Sequence, residues 1–423
     1  MDTRGAPYIQ KVTSGPITIQ GYGPDKLFKW LRLTGGIPTR SGKDSIAHIL
    51  YIKHELPEVY RQTYKFLEPK DYINLRLTGR FAATHDSVNL HWLTDNRNIA
   101  NIRWADRLIS MAGLDREKLP DLVPAATVLG PLTREAGNEL GLPEGVPIVA
   151  GTTDAQSAAM GAGAVHDYQA HLYLGTSSWI SCHVPFKRTD IDNNLASLPS
   201  AVPGKYYVAN EQECAGVCLT FLRDNLVFPN DALNAAPPPA DALIRFDRMA
   251  EGVPAGSDGV IFTPWLVGER TPVEDAWLRG GFHNLSLKTS RAQLVRAVFE
   301  GVAYNSRWLL ACVEKFCGRR LDPINMIGGG ALADVWCQIH ADVLNRTIRQ
   351  VKDPIRASLR GAALLASAAL GHISFDEISE RVEIAKTFRH NPEHRRVYEA
   401  MFKEFLNIYR NNRQMYARLN RTA

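Results

Sequence analysis

The sequence contains no apolar run that approaches the roughly 18 residues needed to cross a bilayer. Its first residues, MDTRGAPYIQK, lack the charged region followed by an apolar region that is typical of a signal peptide. We therefore expect a cytoplasmic protein with no membrane partner. With 45% hydrophobic and 22% charged residues, the composition is that of an ordinary globular protein.

Cysteine is scarce and shows no metal-binding pattern. The chain has six cysteines, with no CxxC pair and no neighbouring histidine at zinc spacing. They are Cys182, Cys214, Cys218, Cys312, Cys317 and Cys337. The pattern indicates reduced thiols in a cytoplasmic protein.

An excess of one charge is also missing, since the net charge is only +5 over 423 residues. What excess there is lies in the Arg-rich C-terminal tail, where apolar residues follow helical spacing. These residues are Val397, Met401, Phe405, Ile408 and Tyr409. Because charged runs are usually solvated faces, we predict a surface helix docked on the core, and we expect no nucleic-acid partner.

The length of the chain exceeds that of one ordinary core, which favours two domains. Strand and helix patterns alternate in both halves, which predicts an α/β fold. We expect a first domain over residues 1–164, a second domain over residues 165–372 and a helical tail over residues 373–423. The longest helix pattern, SRAQLVRAVFEGVAYNSRWLLACVEKF, lies in the second domain and has one apolar face.

A lone carboxylate stands in the stretch VPIVAGTTDAQSAAMGAG, residues 146–163. Asp154 follows an apolar strand and a Gly-Thr-Thr turn, and a helix of small residues comes after it. One interpretation is structural, because aspartate is a preferred N-cap of helices. The other is chemical, because the carboxyl end of a strand is the usual place for reactive groups in α/β folds. The residues alone leave both interpretations open.

Two further turns follow strands and are rich in glycine. In LYLGTSSW, Gly175 lets the backbone approach a ligand. The backbone N–H groups and the hydroxyls of Thr176 and Ser177 can bind phosphate oxygens. An ordinary hairpin turn has the same sequence pattern. In MIGGGALADVW, three glycines follow a strand and Ala331 opens a helix. A flat base can lie against such a backbone while phosphates point to the helix N-terminus. The pattern is neither a GxGxxG fingerprint nor a Walker A loop.

Taken together and in this order, these turns resemble the FGGY carbohydrate kinases, most closely their xylulokinase-like branch. The matching stretches are GTTDAQSAAMGAG, YLGTSSW, GVIFTPWLVGERTPVEDAWLRGGFHNLS, RAVFEGVAYNSRWLL and IGGGALADVWCQIHADVLN. The resemblance implies two actin-like (ribonuclease-H-like) domains with an interdomain cleft. It also implies transfer of the γ-phosphate of ATP, with Mg²⁺, to a hydroxyl of a sugar or polyol, and a ketopentose such as xylulose is favoured.

The resemblance also implies roles for individual residues. Asp154 matches the catalytic base and is expected close to the Mg²⁺ ion. The residues expected to bind ATP are Gly175, Thr176, Ser177, Gly329, Gly330, Ala331 and Asp334. Asp2 and Arg4 match a W-x-D-x-R segment near the sugar site, and Gln156 is a weaker candidate for a substrate contact.

The sequence departs from the family pattern at its start. A D-x-G-T hairpin that binds phosphate in the family does not precede Asp2, so we expect a first domain truncated at its N-terminus and an impaired kinase activity. The alternative is a catalytically deficient relative that binds sugar or nucleotide and acts through a partner. An actin-like ATPase shares the fold but lacks the GERTP loop, in which Glu269 and Arg270 are expected to hold the domains together. A homodimer is the default assembly.

Overall fold

Helices and strands alternate along the chain in the computed structural model, which describes residues 2–233 and 236–421. The helices are α1 (Ala6–Thr13), α2 (Pro24–Leu33), α3 (Ser45–Glu55), α4 (Pro57–Gln62), α5 (Pro69–Thr78), α6 (Asp106–Ala112), α7 (Arg134–Leu140), α8 (Asp154–Gly161), α9 (Val217–Phe221), α10 (Ala242–Glu251), α11 (Arg291–Cys317), α12 (Asp334–Leu344), α13 (Ala357–Ala369) and α14 (Arg395–Asn420). Within the described ranges, none of these helices has the length and apolar character needed to cross a membrane.

The strands are short and are distributed over both halves of the chain. They are β1 (Ala82–Thr84), β2 (Thr94–Asp95), β3 (Arg103–Trp104), β4 (Asp121–Val123), β5 (Val128–Pro131), β6 (Pro147–Val149), β7 (Ala170–Leu174), β8 (Ser178–Ser181), β9 (His183–Val184), β10 (Thr189–Asp190), β11 (Leu195–Pro199), β12 (Tyr206–Ala209), β13 (Ile261–Thr263), β14 (Gly281–His283), β15 (Ile324–Ile327), β16 (Ile348–Val351) and β17 (Ile384–Phe388).

The first domain is built mainly from helices. Its strands form three two-stranded sheets, with β1 and β4 parallel and the pairs β2–β3 and β5–β6 antiparallel. The core lies among α1, α2, α3 and α6, where Trp30, Ile46, Leu50 and Leu108 are fully buried. The last strand of this domain, β6, leads through a short turn into α8.

The second domain is organised around a five-stranded sheet with the order β17-β16-β15-β7-β8. Its three central strands are parallel, and both edge strands are antiparallel to their neighbours. Helix α11 covers this sheet, which confirms the long helix pattern in the sequence. The helix begins with a capping box between Ser290 and Gln293 and ends at Gly318, whose φ of +70° suits glycine.

The C-terminal segment is an integral part of the second domain. As the sequence predicts, α14 is amphipathic and docks on the core, with Tyr398, Met401 and Phe405 buried. The predicted helical tail over residues 373–423 also contains a strand, which differs from the prediction. Strand β17 pairs with β16 and extends the central sheet.

Two helices cross at very short range where the domains meet. A Cβ atom on Gly161 of α8 would lie 2.5 Å from the carbonyl carbon of Ala357 in α13, and closer still to its oxygen. A Cβ atom on Gly361 of α13 would lie 2.7 Å from the carbonyl carbon of Ser157 in α8. The two backbones are therefore in direct contact, and α8 carries Asp154 at its other end.

Candidate active site

The first predicted corner carries Asp154 at the start of α8. After β6, Gly151 adopts a φ of +75°, and Thr153 occupies the N-cap position. The N-cap interpretation of Asp154 is therefore wrong, because Asp154 is the first residue within the helix. Its carboxylate is exposed, and Oδ1 accepts a hydrogen bond from Ala155 N at 2.8 Å. The negative charge lies at a helix N-terminus, where the macrodipole favours negative groups.

A buried carboxylate that the sequence analysis missed holds this turn in place. Asp86 is only 3% exposed, and its Oδ2 accepts hydrogen bonds from Thr152 Oγ1 at 2.5 Å and Thr153 N at 2.9 Å. On the other side of the turn, two side chains of α5 donate to the carbonyl oxygen of Ala150. No local pattern marks Asp86, because Thr152 lies 66 residues away in the chain.

The second corner is the tight turn between β7 and β8. Gly175 N donates to Ser177 O at 3.0 Å, and Gly216 N supports the turn by donating to Gly175 O at 2.7 Å. Thr176 is exposed and Ser177 is half-buried. Neither hydroxyl has a hydrogen-bond partner within the described ranges, so both are available to the oxygens of a phosphate group.

The third corner follows β15 and touches the second. Gly328 has a φ of +92°, and a Cβ atom there would lie 2.6 Å from the carbonyl oxygen of Leu174, so glycine is required. A Cβ atom on Gly330 would lie 2.5 Å from the Leu174 side chain. Because β15 and β7 are parallel neighbours, both turns open at the same edge of the sheet. One prediction is wrong: a 3₁₀ turn spans Gly329–Leu332, so Ala331 does not open the helix.

The residues that follow the third corner bind one another. Ala331 is fully buried, and its carbonyl oxygen accepts a hydrogen bond from Gln350 Nε2 at 2.7 Å. Asp334 accepts from the same amide at 3.1 Å and forms an ion pair with Lys386. Burial, with nearby carboxylates that include Asp334, raises the pKa of Asp247 to about 6. Carboxylates accept hydrogen bonds from hydroxyls, so this side of the corner suits a ribose better than phosphates.

Two tyrosines connect Asp154 to the second domain. Burial raises the pKa of Tyr173, and the Asp154 carboxylate adds to the shift. The Tyr207 hydroxyl donates to Ala155 O at 3.4 Å, beside Asp154. A Cβ atom on Gly175 would lie 2.5 Å from the Tyr173 ring. The structure thus brings Asp154 and both glycine turns to one side of the junction between the domains.

Asp2 and Arg4 lie on the surface of the first domain, against α3. Arg4 pairs with Asp2 at 2.8 Å, and its guanidinium lies 4.4 Å from the centre of the Tyr51 ring. Hydrogen bonds from Arg4 lower the pKa of the Asp2 carboxyl. No hydrogen bond or ion pair within residues 2–233 and 236–421 connects either side chain to Asp154. Their role at the sugar site stays a prediction.

Gln156 bridges the two domains. Its side chain is only 4% exposed, Nε2 donates to Pro199 O at 3.0 Å, and Oε1 accepts from Ala201 N at 2.5 Å. Because the side chain is buried and both of its polar ends bind backbone groups of the second domain, its polar groups serve the contact between the domains. We therefore leave Gln156 out of the proposed sugar site.

The GERTP loop is fixed mainly inside the second domain. Glu269 is buried and accepts hydrogen bonds from Glu213 N at 3.0 Å and Asn305 Nδ2 at 2.6 Å. Burial raises the pKa of Glu269 to about 8. Arg270 forms ion pairs with Glu211 and Glu213. These partners belong to the second domain, but the carboxylates that raise the pKa of Arg270, led by Glu211 and Glu213, also include Asp44 of the first domain. The predicted interdomain role stays a prediction.

The described part of the chain, residues 2–233 and 236–421, contains no cluster of three or more His, Cys, Asp or Glu side chains that could hold a metal ion. Magnesium does not require such a cluster, because it usually takes one or two carboxylates together with water and phosphate oxygens. Asp154 offers an exposed carboxylate whose charge acts on Tyr173, and Tyr173 lies two residues before the Gly175 turn. These residues therefore fit Mg²⁺ that arrives with nucleotide phosphates.

Comparison with known proteins decides the family. The N-terminal domain of the FGGY family of carbohydrate kinases matches residues 30–161, and the C-terminal domain of that family matches residues 170–370. The chain belongs to the FGGY family of carbohydrate kinases. A xylulose kinase of Staphylococcus epidermidis is 29% identical over 378 residues, which cover 89% of this chain and 73% of that protein.

A second relative and a solved structure are also similar to this chain. An autoinducer-2 kinase of Enterobacter sp. is 29% identical over 374 residues, which cover 86% of this chain and 68% of that protein. The crystal structure of a ligand-bound xylulose kinase from Lactobacillus acidophilus matches with a TM-score of 0.84 and 24% identity, covering 99% of this chain and 80% of that chain.

Membership in the family confirms the predicted fold and enzyme class. The two α/β domains are the actin-like (ribonuclease-H-like) domains of FGGY kinases, and the protein is a carbohydrate kinase. FGGY kinases use ATP as phosphate donor, as predicted. The relatives carry names for different substrates, xylulose in one case and autoinducer-2 in another. Family membership therefore shows that the protein is a sugar kinase, and the names of its relatives differ in substrate.

Proposed function

We propose that this kinase transfers the γ-phosphate of ATP to a hydroxyl of a ketopentose, with xylulose as the favoured substrate and Mg²⁺ as the metal cofactor. The observation that carries the proposal is the convergence of Asp154 with the turns at Gly175 and Gly328 on one side of the domain junction. Phosphoryl transfer depends mainly on positioning and on neutralising phosphate charge. In this proposal the amides and hydroxyls of Thr176 and Ser177 position the phosphates, and the Asp154 carboxylate positions the sugar hydroxyl and the Mg²⁺ that neutralises phosphate charge.

In this proposal Asp154 is the general base that takes the proton from the attacking hydroxyl. Its carboxylate is exposed, and among residues 2–233 and 236–421 it accepts a hydrogen bond only from the adjacent amide, so it can approach a sugar without giving up a structural contact. General-base catalysis contributes about 10²- to 10⁴-fold in rate. Bound Mg²⁺ would neutralise phosphate charge, and in this proposal the Asp154 carboxylate would help to hold it.

The nucleotide extends across the second and third turns in this proposal. The amides and hydroxyls of Thr176 and Ser177 bind the phosphates, and the adenosine lies along Gly329 and Gly330. Open space surrounds the position where a Cβ atom of Gly329 would be, which leaves room for a flat base. Asp334, already paired with Lys386, lies on the ribose side.

The choice of xylulose as the favoured sugar is based on the names of similar proteins. Xylulose kinases stand among the most similar proteins and structures, whereas an autoinducer-2 kinase of equal identity argues for testing several substrates. Asp2 and Arg4 remain the predicted sugar-side residues. Discrimination among sugars arises when a mismatched hydroxyl leaves a buried polar group unpaired, so we expect one pentulose to exceed its epimers clearly.

The test is ATP turnover with xylulose, other pentuloses, gluconate and glycerol, comparing the parent chain with Asp154→Asn. We expect sugar-dependent ADP formation in the parent and a loss of about 10²- to 10⁴-fold in kcat in the variant. Asp106→Asn is a matched control, because Asp106 is also an exposed aspartate at the first position of a helix. This control should keep the parent rate.

Equal turnover by the parent and Asp154→Asn would overturn the role of Asp154. If the parent binds ADP but phosphorylates no compound of the panel, the catalytically deficient alternative is correct instead. Calorimetry with ADP separates these outcomes, because Asp154→Asn removes no contact to the adenosine and should leave ADP affinity within a few-fold.

We also propose a cytoplasmic location and a homodimer. All six cysteines are free thiols, as expected in a reducing compartment. Two-fold dimers are the commonest closed assemblies of soluble proteins. Light scattering on the purified chain should give twice its mass, and the mass of a single chain would contradict the dimer.

A further inference from the structure

Tyr173 stands between the two parts of the candidate site. It lies near the end of β7, two residues before Gly175. Its neighbour Leu174 is buried in the core of the second domain, whereas Tyr173 is half-buried on the opposite face of the strand. There it packs against a buried cluster that includes Ala158, one helical turn after Asp154.

The ring of Tyr173 is held by a stack on a neighbouring aromatic ring. Trp179, its cross-strand partner on β8, stacks on it with ring centres 3.9 Å apart and planes 9° apart. The indole nitrogen of Trp179 donates to His171 Nε2 at 3.0 Å, which fixes the orientation of the indole. The stack on Trp179 therefore restricts the orientation of the phenol ring.

The hydroxyl of Tyr173 lies over the turn proposed to bind phosphate. A Cβ atom on Gly175 would lie 2.5 Å from Cε1 and 2.6 Å from Cζ of the ring, and closer still to the hydroxyl oxygen. Glycine at this position therefore leaves room for the end of the tyrosine side chain. The φ of Gly175 is not positive, so steric room and not backbone conformation explains the glycine.

The hydroxyl is free to bind a ligand. Within the described ranges it has no hydrogen-bond partner, whereas the hydroxyls of Tyr206 and Tyr207 donate to Asn96 O and Ala155 O. The residue is half-buried, so a ligand at the Gly175 turn can reach this hydroxyl and accept its hydrogen bond. Burial and the Asp154 carboxylate raise the pKa of Tyr173, which keeps the hydroxyl protonated as a donor.

We infer that Tyr173 is a further catalytic residue, whose hydroxyl donates a hydrogen bond to the phosphoryl group as it passes from ATP at the Gly175 turn to the sugar hydroxyl at Asp154. This inference rests on the proposed function. Tyr173 undergoes no covalent change, and its proton stays on the phenol oxygen. A fixed donor aimed at the oxygens of the transferred group stabilises the transition state without reorganisation.

The first test is Tyr173→Phe, which removes the hydroxyl and keeps the ring stacked on Trp179. We expect kcat to fall about 10²-fold, with the KM for the sugar changed less than threefold. The matched control is Tyr168→Phe. Tyr168 is also half-buried and lies two residues before the start of β7. The Arg319 guanidinium lies 4.0 Å from the centre of its ring. The control should keep the parent kcat, and both variants should unfold at the parent temperature.

A second measurement does not need turnover. Calorimetry compares the binding of ADP with the binding of ADP plus Mg²⁺ and aluminium fluoride, which imitates a phosphoryl group in transfer. Tyr173→Phe should bind ADP alone as the parent does, within a factor of about two. The same variant should bind the aluminium fluoride complex at least about tenfold more weakly. If Tyr173 had only a structural role, the variant would bind ADP alone and the aluminium fluoride complex more weakly by the same factor.

Tyr173→Phe with the parent kcat and the parent affinity for the aluminium fluoride complex would overturn the inference and leave the proposed function intact. A higher kcat in the variant would also overturn it, because the hydroxyl would then obstruct the site. If the parent neither phosphorylates a sugar nor binds the aluminium fluoride complex more tightly than ADP, the proposed function fails and this inference fails with it.

Discussion

Among single residues, Asp86 is buried and fixes the backbone that carries Asp154. Its buried carboxylate binds Thr152 and Thr153, the two residues immediately before α8. A misplacement of about 1 Å at a reacting group can cost about 10²-fold in rate. Asp86 is therefore a positioning residue for the general base, and its effect should be seen mainly in kcat.

We predict that Asp86→Ala lowers kcat about 10²-fold and leaves the KM for ATP within a few-fold, because the turn loses its acceptor while the glycine turns keep their contacts. The unpaired amide of Thr153 should also cost about 1–3 kcal/mol of unfolding free energy. Asp86→Asn keeps an acceptor oxygen and should restore most of the rate. Steady-state kinetics on both variants checks this, and an equal loss in Asp86→Asn would show that charge, not position, is what matters.

The sequence identifies residues of the candidate site whose signal is local. Asp154 and Gly175 stand out because each belongs to a turn directly after a strand. Asp86 and Tyr173 give no such signal, because a tyrosine in a strand looks like an ordinary core residue and the partners of Asp86 lie far along the chain. The placement of Asp86 depends on tertiary contacts within the first domain, and that of Tyr173 relative to Asp154 depends on how the two domains pack.

At the level of elements, the contact between α8 and α13 depends on the absence of side chains. Gly161 and Gly361 let the two helices approach until backbone touches backbone. Added volume in such a contact forces the helices apart and lowers the free energy of unfolding by about 1–3 kcal/mol or more. The contact also ties the helix of Asp154 to the second domain.

We predict that Gly161→Ala lowers the free energy of unfolding by about 3 kcal/mol, because its Cβ atom would meet the backbone of Ala357. Gly252→Ala is the control, since a Cβ atom there has its nearest neighbour at 3.7 Å and φ is −76°. The control should change stability by less than about 0.5 kcal/mol. Chemical denaturation measures both, and equal midpoints would show that the helices separate without cost.

Elements with long periodic patterns could be predicted, and those set by tertiary pairing could not. Helix α11 shows its apolar face over 27 residues and begins with a capping pair that is visible in the sequence. Strand β17 has five residues with mostly exposed side chains and exists through pairing with β16. The sequence predicts that α12 begins at Ala331, but a 3₁₀ turn comes first and the helix begins at Asp334.

For the whole molecule, the C-terminal helix closes the core of the second domain. Phe405 of α14 is fully buried, with its ring centre 5.0 Å from that of Trp265 and 5.8 Å from that of Tyr304. Trp265 follows β13 and Tyr304 belongs to α11, so one side chain joins three distant parts of the chain. The amphipathic pattern predicted this docking, although not its partners.

We predict that Phe405→Ala destabilises the whole chain by about 3–5 kcal/mol, because it leaves a cavity among aromatic rings. Leu419→Ala, in the same helix but 66% exposed, should change stability by less than about 0.5 kcal/mol. Denaturant unfolding followed by tryptophan fluorescence and by circular dichroism measures both. A local loss of helix signal with an unchanged main transition would contradict a shared core.

The glycine contact between the domains has a mechanical consequence. Ser157 and Gly161 of α8 both touch α13, so the helix is held at two points, three and seven residues after Asp154. The nearer point lies about 5 Å along the helix axis from Asp154, at roughly 1.5 Å per residue. A tilt of about 10° at that point would move the base by less than about 1 Å, so the contact keeps the carboxylate close to one position.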